Sequence, residues 1–248
     1  MELLEEISQR RTIRKYENRD VDTKLINRLL EAASHASTTG NMQLYSVIIT
    51  KDAKKKEELA PTHFNQPTFV GAPVVLTFCA DNNRFNQWCE QRNATPGYNN
   101  FLSFTTAAID TLLLAQNFAT LAEHEGLGIC FLGTTTYNAP KIAEILELPK
   151  YVVPITTITL GYPAESPNMQ DRIPVNGFVH EETYKNYSKE RINQIFEEKE
   201  NLEDNKEFVR INNKQTLAQI FTDIRYTKKD GDCFSKIYEE FIRKQFDF

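Results

Sequence analysis

The spacing of apolar and polar positions singles out one stretch of this chain. From Asn100 to His124 there is no Pro or Gly, and Phe101, Phe104, Ala108, Leu112, Ala115, Ala119 and Ala122 recur at helical spacing. Ile109, Leu113, Phe118 and Leu121 cover much of the remaining surface. The pattern predicts a helix of about 35 Å, at a rise of about 1.5 Å per residue, with little surface left for water. Gly126-Leu-Gly128 stops it, and Ile129–Leu132 reads as a buried strand ending at Gly133.

The other segments read as elements packed around that helix. Leu3, Leu4 and Ile7 predict a short amphipathic helix, and Leu25, Ile26, Leu29, Leu30 and Ala33 a second, capped by Asp22 or Thr23. Ser46–Thr50, Val74–Asp81 and Ile155–Leu160 read as further strands, Val74–Asp81 being apolar enough to be covered on both faces. Lys51–Glu58 begins a charged helix, 82–97 is a polar and aromatic excursion with some helix, and Asn138–Leu146 is a helix with Pro140 in its first turn. Strands alternating with helices imply an α/β or α+β sheet with helical covering. Composition changes after Pro163. Residues 1–184 read as a core and 185–248 as an extension rich in Glu, Lys and Asn, with few apolar residues before Phe234–Phe246. So polar a segment cannot build a core alone, which predicts that it wraps a partner subunit.

Composition narrows the function classes. With 29 basic and 34 acidic residues among 248, the net charge is −5, which argues against a nucleic-acid binder with a basic face. Cys79, Cys89, Cys130 and Cys233 show no C-x-x-C spacing, so neither a zinc site nor a disulfide framework is indicated. No apolar run reaches the roughly 18 residues needed to span a bilayer. The acidic opening Met1–Glu6 lacks a signal-peptide pattern, so the expected setting is the cytoplasm.

Two polar clusters carry candidate chemistry. In Arg10-Arg-Thr-Ile-Arg14, Ile13 and Tyr16 are placed to anchor the segment while Arg11, Thr12 and Arg14 project elsewhere. Guanidinium forks beside a hydroxyl suit a phosphate or polyol, although a solvated basic turn has the same composition. Ser37-Thr-Thr-Gly-Asn-Met-Gln43 reads equally as an ordinary helix-to-strand turn or as a polar rim for a ligand. Neither a nucleophile elbow nor a P-loop is present, and Gly126-Leu-Gly128 precedes a strand rather than following one.

These clusters occur in order with Gly126-Leu-Gly…Phe-Leu-Gly133 and Leu160-Gly-Tyr-Pro…Asp-Arg172-Ile-Pro174. Together they resemble the nitroreductase family of FMN enzymes, in particular its NADPH nitroreductase and flavin reductase branch, over residues 1–184. The resemblance implies an α+β sandwich with a central mixed sheet, and a homodimer with FMN at the subunit interface. It implies an NAD(P)H oxidoreductase that reduces nitroaromatics, quinones or free flavin in ping-pong fashion. A non-enzymatic flavin-binding or storage protein on the same fold is the alternative. By the same resemblance Arg10, Arg11, Thr12 and Arg14 hold the FMN phosphate, ribityl chain and pyrimidine edge. Thr38 and Thr39 approach from the partner subunit's loop, Gln66 reaches the isoalloxazine, and Arg172 grips the phosphate. Phe131, Leu132, Gly133 and Thr134 present backbone N–H groups near the flavin ring. The chain departs from the branch at Gln170, where Lys is usual, and at Gly133-Thr134, where Gly-Gly is usual. Arg210 and Lys214 are the candidates for contacting the nicotinamide nucleotide. No side-chain acid or base is expected to be essential, since flavin carries the chemistry.

Overall fold

The computed structural model describes residues 2–248. The elements run, in order, α1 (Leu3–Ser8), α2 (Thr23–Ala33), β1 (Tyr45–Thr50), α3 (Ala53–Leu59), α4 (Pro67–Val70), β2 (Val74–Asp81), α5 (Asn83–Glu90) and α6 (Phe101–His124). They continue with β3 (Gly128–Leu132), α7 (Thr134–Tyr137), α8 (Ala139–Ile145), β4 (Val152–Gly161), α9 (Lys189–Asn201), α10 (Glu203–Ile211), α11 (Leu217–Ile220) and α12 (Lys228–Phe246). The chain forms two compact units. The first is Met1–Asn168 with Phe234–Phe248, and the second is Met169–Cys233.

The first unit is built on a four-stranded sheet of order β1-β2-β4-β3. All three pairings are antiparallel, so the expected mixed sheet is corrected to an antiparallel one. The continuous apolar runs of β2 and β4 report burial on both faces, and burial carries no information about strand direction. Pro154 stands in the central strand β4, where a missing N–H would ordinarily break the ladder. The pairing skips there: Phe78 faces Thr156 while Cys79 faces Pro154, a bulge that accommodates the proline.

Alternation along the strands sorts the core into layers. Val74, Leu76 and Phe78 of β2 face Leu114, Ala115, Phe118, Ala119 and Ala122 of α6 and Ile26, Leu29 and Ala33 of α2. Val75 points the other way, joining Leu59, Phe69, Cys130, Leu132 and Ile142. The result is a helix–sheet–helix sandwich. The start of β1 and of β4 closes on Leu44, Phe104, Ile242 and Phe246.

The central helix forms over Phe101–His124, with Asn100 capping it by accepting from the Ser103 N–H at 3.0 Å. Its buried face differs from the expected one. Ser103, Asp110 and Thr111 lie inside, whereas Ile109, Leu112 and Leu113 are 52%, 48% and 43% exposed. An apolar count misses this because the inward polar groups have partners. Thr111 donates to the Ala107 carbonyl at 2.7 Å, and Asp110 accepts from the 38–44 loop.

The extension read as one piece also divides differently. Its last residues return to the first unit. Ile242 and Phe246 are buried there, Phe246 meets Phe104 edge-on at 5.5 Å, and the Gln245 side chain donates to the Val152 carbonyl at 3.0 Å. The second unit has a small interior of its own. Ile195 of α9 lies over Gly177, while Leu217 and Ile220 of α11 are buried behind a Thr216–Gln219 capping box.

Candidate functional site

The arginine segment is held by its apolar residues. The Ile13 N–H donates to the Ile129 carbonyl at 3.1 Å, and the Ile13 side chain fills the space over Gly128, where an added Cβ would lie 2.6 Å away. The Tyr16 hydroxyl lies 2.7 Å from Thr159 Oγ1 and donates to the Ile13 carbonyl at 2.9 Å; burial holds that phenol well above its usual pKa. The Glu165 carboxylate accepts from the backbone N–H groups of Arg14 and Lys15 at 2.7 and 3.1 Å. With Ile13 and Tyr16 fixed, Arg11 and Arg14 are exposed and Thr12 is half-buried. Among the described residues the Arg11 guanidinium hydrogen-bonds only to Ser166 Oγ, at 3.4 Å. Arg10 behaves differently: its fork is closed on Glu123 at 2.8–3.2 Å. That carboxylate competes directly with the expected phosphate contact.

From Ile129, which accepts from Ile13, strand β3 runs on to its end at Leu132. Phe131 is exposed, Leu132 is buried and pairs with Thr157, and Gly133 and Thr134 fall beyond the ladder. A Cβ added at Gly133 would meet nothing within 4 Å, and Gly133 has an ordinary φ of −66°, so backbone geometry does not demand glycine there. The Thr134 hydroxyl is 2.8 Å from His63 Nδ1, and His63 stacks on Phe69 at 4.5 Å. Gln66 follows directly. Its N–H donates to the His63 carbonyl at 3.1 Å, and its own carbonyl accepts from Phe69 at 2.9 Å. Strand β3 and its continuation thus link the arginine segment, through Ile13 on Ile129, to Thr134, and through His63 to the turn that carries Gln66.

Burial pushes His63 down to about 4, so it is neutral near pH 7. Between about pH 6.5 and 4 the unfolded chain binds more protons at this position than the folded one. Stability is therefore expected to fall as pH drops through that window, by about 3 kcal/mol in all, at about 1.36 kcal/mol per unit. Denaturant melts at a series of pH values check this: His63→Gln should flatten the acid limb, and an unchanged limb contradicts the assignment.

Thr38 and Thr39 lie elsewhere. The Thr38 hydroxyl donates to Asp110 Oδ2 at 2.5 Å and accepts from the Gln43 N–H at 2.9 Å, and the Thr39 N–H donates to Asp110 Oδ1 at 3.0 Å. Thr38 is thereby spent on the loop, leaving the exposed Thr39 side chain outward. This loop precedes Tyr45, which pairs with Ala80 at one end of β2. The arginine segment crosses Gly128 and Gly161, near Val74 at the other end. A single chain does not join them.

In the second unit Arg172 is exposed, and its Nη1 donates to the Asp171 and Gln170 carbonyls at 2.8 and 3.3 Å. Asp171 is paired with Lys199 at 2.8 Å. The nucleotide candidates are both engaged, Lys214 with Asp223 at 2.9 Å and Arg210 with Glu207 at 2.5 Å. Asp110, Glu123, Glu165 and His63, which support the site, were not among the residues the sequence pointed to. Asp110 did leave a signal, as the one charged residue between Phe101 and Ala122 in an apolar helical run.

The chain matches the nitroreductase family model over residues 7–162. It is 33% identical over 183 residues to the FMN reductase (NADPH) of Bacillus subtilis strain 168, covering 73% of this chain and 74% of that one. It is 30% identical over 173 residues to the Cr(VI) reductase of Pseudomonas sp. strain G-1, covering 70% and 71%. A crystal structure of a Bacteroides fragilis NCTC 9343 protein superposes with a TM-score of 0.96 at 56% identity, covering 98% of each chain.

Proposed function

The chain belongs to the nitroreductase family, and from that premise we propose an FMN-dependent NAD(P)H oxidoreductase that works as a homodimer with its flavin sites between subunits. The observation that carries the flavin reading is Gly133. It lies beyond the ladder with nothing near an added Cβ, on the strand that anchors Ile13, whose neighbours Arg11 and Arg14 are exposed. A planar ligand with a phosphate tail has the matching shape and charge: open room over a strand end, and cations within the same segment. Bound FMN supplies the hydride chemistry, so the protein's part is to bind, orient and exclude water.

Arg11 and Arg14 meet the phosphate, and Thr12 meets the ribityl hydroxyls. Gln66 offers an amide to the pyrimidine edge, and Gly133 and Thr134 offer N–H groups outside the sheet ladder. Arg10 acts through Glu123, holding the segment against α6. The relatives named as reductases favour an enzyme over a flavin store. Among the described residues no helix is long and apolar enough to cross a membrane, and the excess of acidic residues favours small-molecule acceptors over nucleic acid.

The dimer follows from α6. Ile109, Leu112 and Leu113, together with Phe101 and Leu102, form an exposed apolar stripe. Asp110, which holds Thr38 and Thr39, lies toward the first half of α6, and Glu123, which holds Arg10, lies at its end. Antiparallel packing of α6 on its symmetry mate brings the Thr38–Thr39 loop of one subunit toward the arginine segment of the other. That reconciles two clusters which one chain keeps apart. Donor and acceptor then share one opening in turn. Initial-rate plots for NADPH and riboflavin are expected to be parallel, and intersecting lines contradict a shared site.

A further inference from the structure

Phe64 is a large apolar residue left 52% exposed, and it stands in the left-handed region at φ 55°, followed by Asn65 at φ 49°. A bulky residue with positive φ is an outlier, and two in succession are held only by surrounding structure. Two backbone hydrogen bonds at the end of the Ala60–His63 turn hold them, Phe64 N–H to the Pro61 carbonyl at 3.0 Å and Asn65 N–H to the Ala60 carbonyl at 2.9 Å, and an aromatic brace fixes the ring. Phe234 lies edge-on to Phe64 at 6.2 Å and 64°, and stacks on Tyr137 at 4.5 Å and 8°. Gln66 comes two residues after Phe64, and Tyr137 three residues after Thr134. The His63–Thr134 contact at 2.8 Å ties the two segments together. Tyr137 and Phe234 spend facing rings on each other, so the free ring of the group is Phe64. Held by one edge against Phe234, the Phe64 ring still leaves half its surface to solvent in the turn that leads into Gln66.

We propose that Phe64, braced by Tyr137 and Phe234, is the stacking surface for a planar aromatic electron acceptor, the isoalloxazine of a free flavin being the type. This rests on the flavin-oxidoreductase reading above. The balance is unchanged: NAD(P)H loses a hydride to become NAD(P)+, and that hydride with one proton from water reduces the acceptor ring by two electrons. Stacking against an edge-braced ring is favourable for any planar π-system and indifferent to a small oxyanion. The surface therefore sets which acceptors are used rather than whether hydride is accepted from the donor.

The test compares Phe64→Leu and Phe64→Gly with the natural protein, each loaded with FMN, using riboflavin as the aromatic acceptor and chromate as the non-aromatic one. Kd for riboflavin on the oxidised protein, by ultrafiltration without donor, and KM for riboflavin are both expected to rise about tenfold. Bleaching by NADPH and turnover of chromate should change less than about twofold. Phe64→Gly relieves the positive φ, so it should melt no lower than the natural protein, which separates loss of binding from loss of fold. Unchanged riboflavin Kd and KM in Phe64→Leu, or equal losses with riboflavin and chromate, overturn the proposal. Failure of the natural protein to retain FMN or to bleach with NADPH instead overturns the parent reading.

Discussion

Leu112→Arg is expected to convert the protein to a monomer that loses its FMN. Leu112 is flanked on the exposed face of α6 by Ile109 and Leu113, all between 43% and 52% exposed in the single chain. In an α6–α6 interface the new guanidinium would be buried without a partner, at a cost of about 3–5 kcal/mol, which lowers the dimer constant by two to four orders of magnitude. In the proposed dimer Thr38 and Thr39 complete the partner's flavin site, so loss of the dimer is expected to remove part of each site. Light scattering with in-line absorbance reads mass and flavin together. A variant that still elutes as a flavin-loaded dimer would remove α6 from the interface.

Arg11→Ala is expected to weaken FMN binding by about 1.5–3 kcal/mol, roughly 10- to 150-fold, the usual scale for a charge-assisted hydrogen bond. Among the described residues its side chain has no carboxylate partner, only Ser166 Oγ at 3.4 Å, so truncation disturbs little else. Arg10→Ala should act differently. It strands Glu123, whose side chain is 18% exposed and whose fork partner is gone, so melting temperature falls as well as affinity. Fluorescence titration of both variants separates the roles. Equal flavin affinity in Arg11→Ala and the natural protein would displace the phosphate from this segment.

Much of the fold was legible because burial and period mark it directly. The run Val74–Asp81 is the strand to the residue, and α6 begins within a residue of its expected start. What escaped depends on partners distant in sequence. Strand β4 starts at Val152, inside the apolar stretch that opens at Tyr151, but the bulge that absorbs Pro154 was not visible. The buried face of α6 contains Asp110 and Thr111, which read as outward until the 38–44 loop satisfies the carboxylate. In the arginine cluster, types and order were visible, and Ile13 and Tyr16 do anchor it. That Arg10 faces Glu123 was not visible, since 113 residues separate them. The same holds for the Phe64–Tyr137–Phe234 group, whose members come from three distant segments.

The most direct measurement is an anaerobic titration of the FMN-loaded protein with NADPH, followed by riboflavin. The visible flavin absorbance should bleach by one donor equivalent per bound FMN and return when riboflavin is added. A bound flavin that stays oxidised in excess NADPH and NADH would contradict an oxidoreductase and leave a protein that only holds flavin.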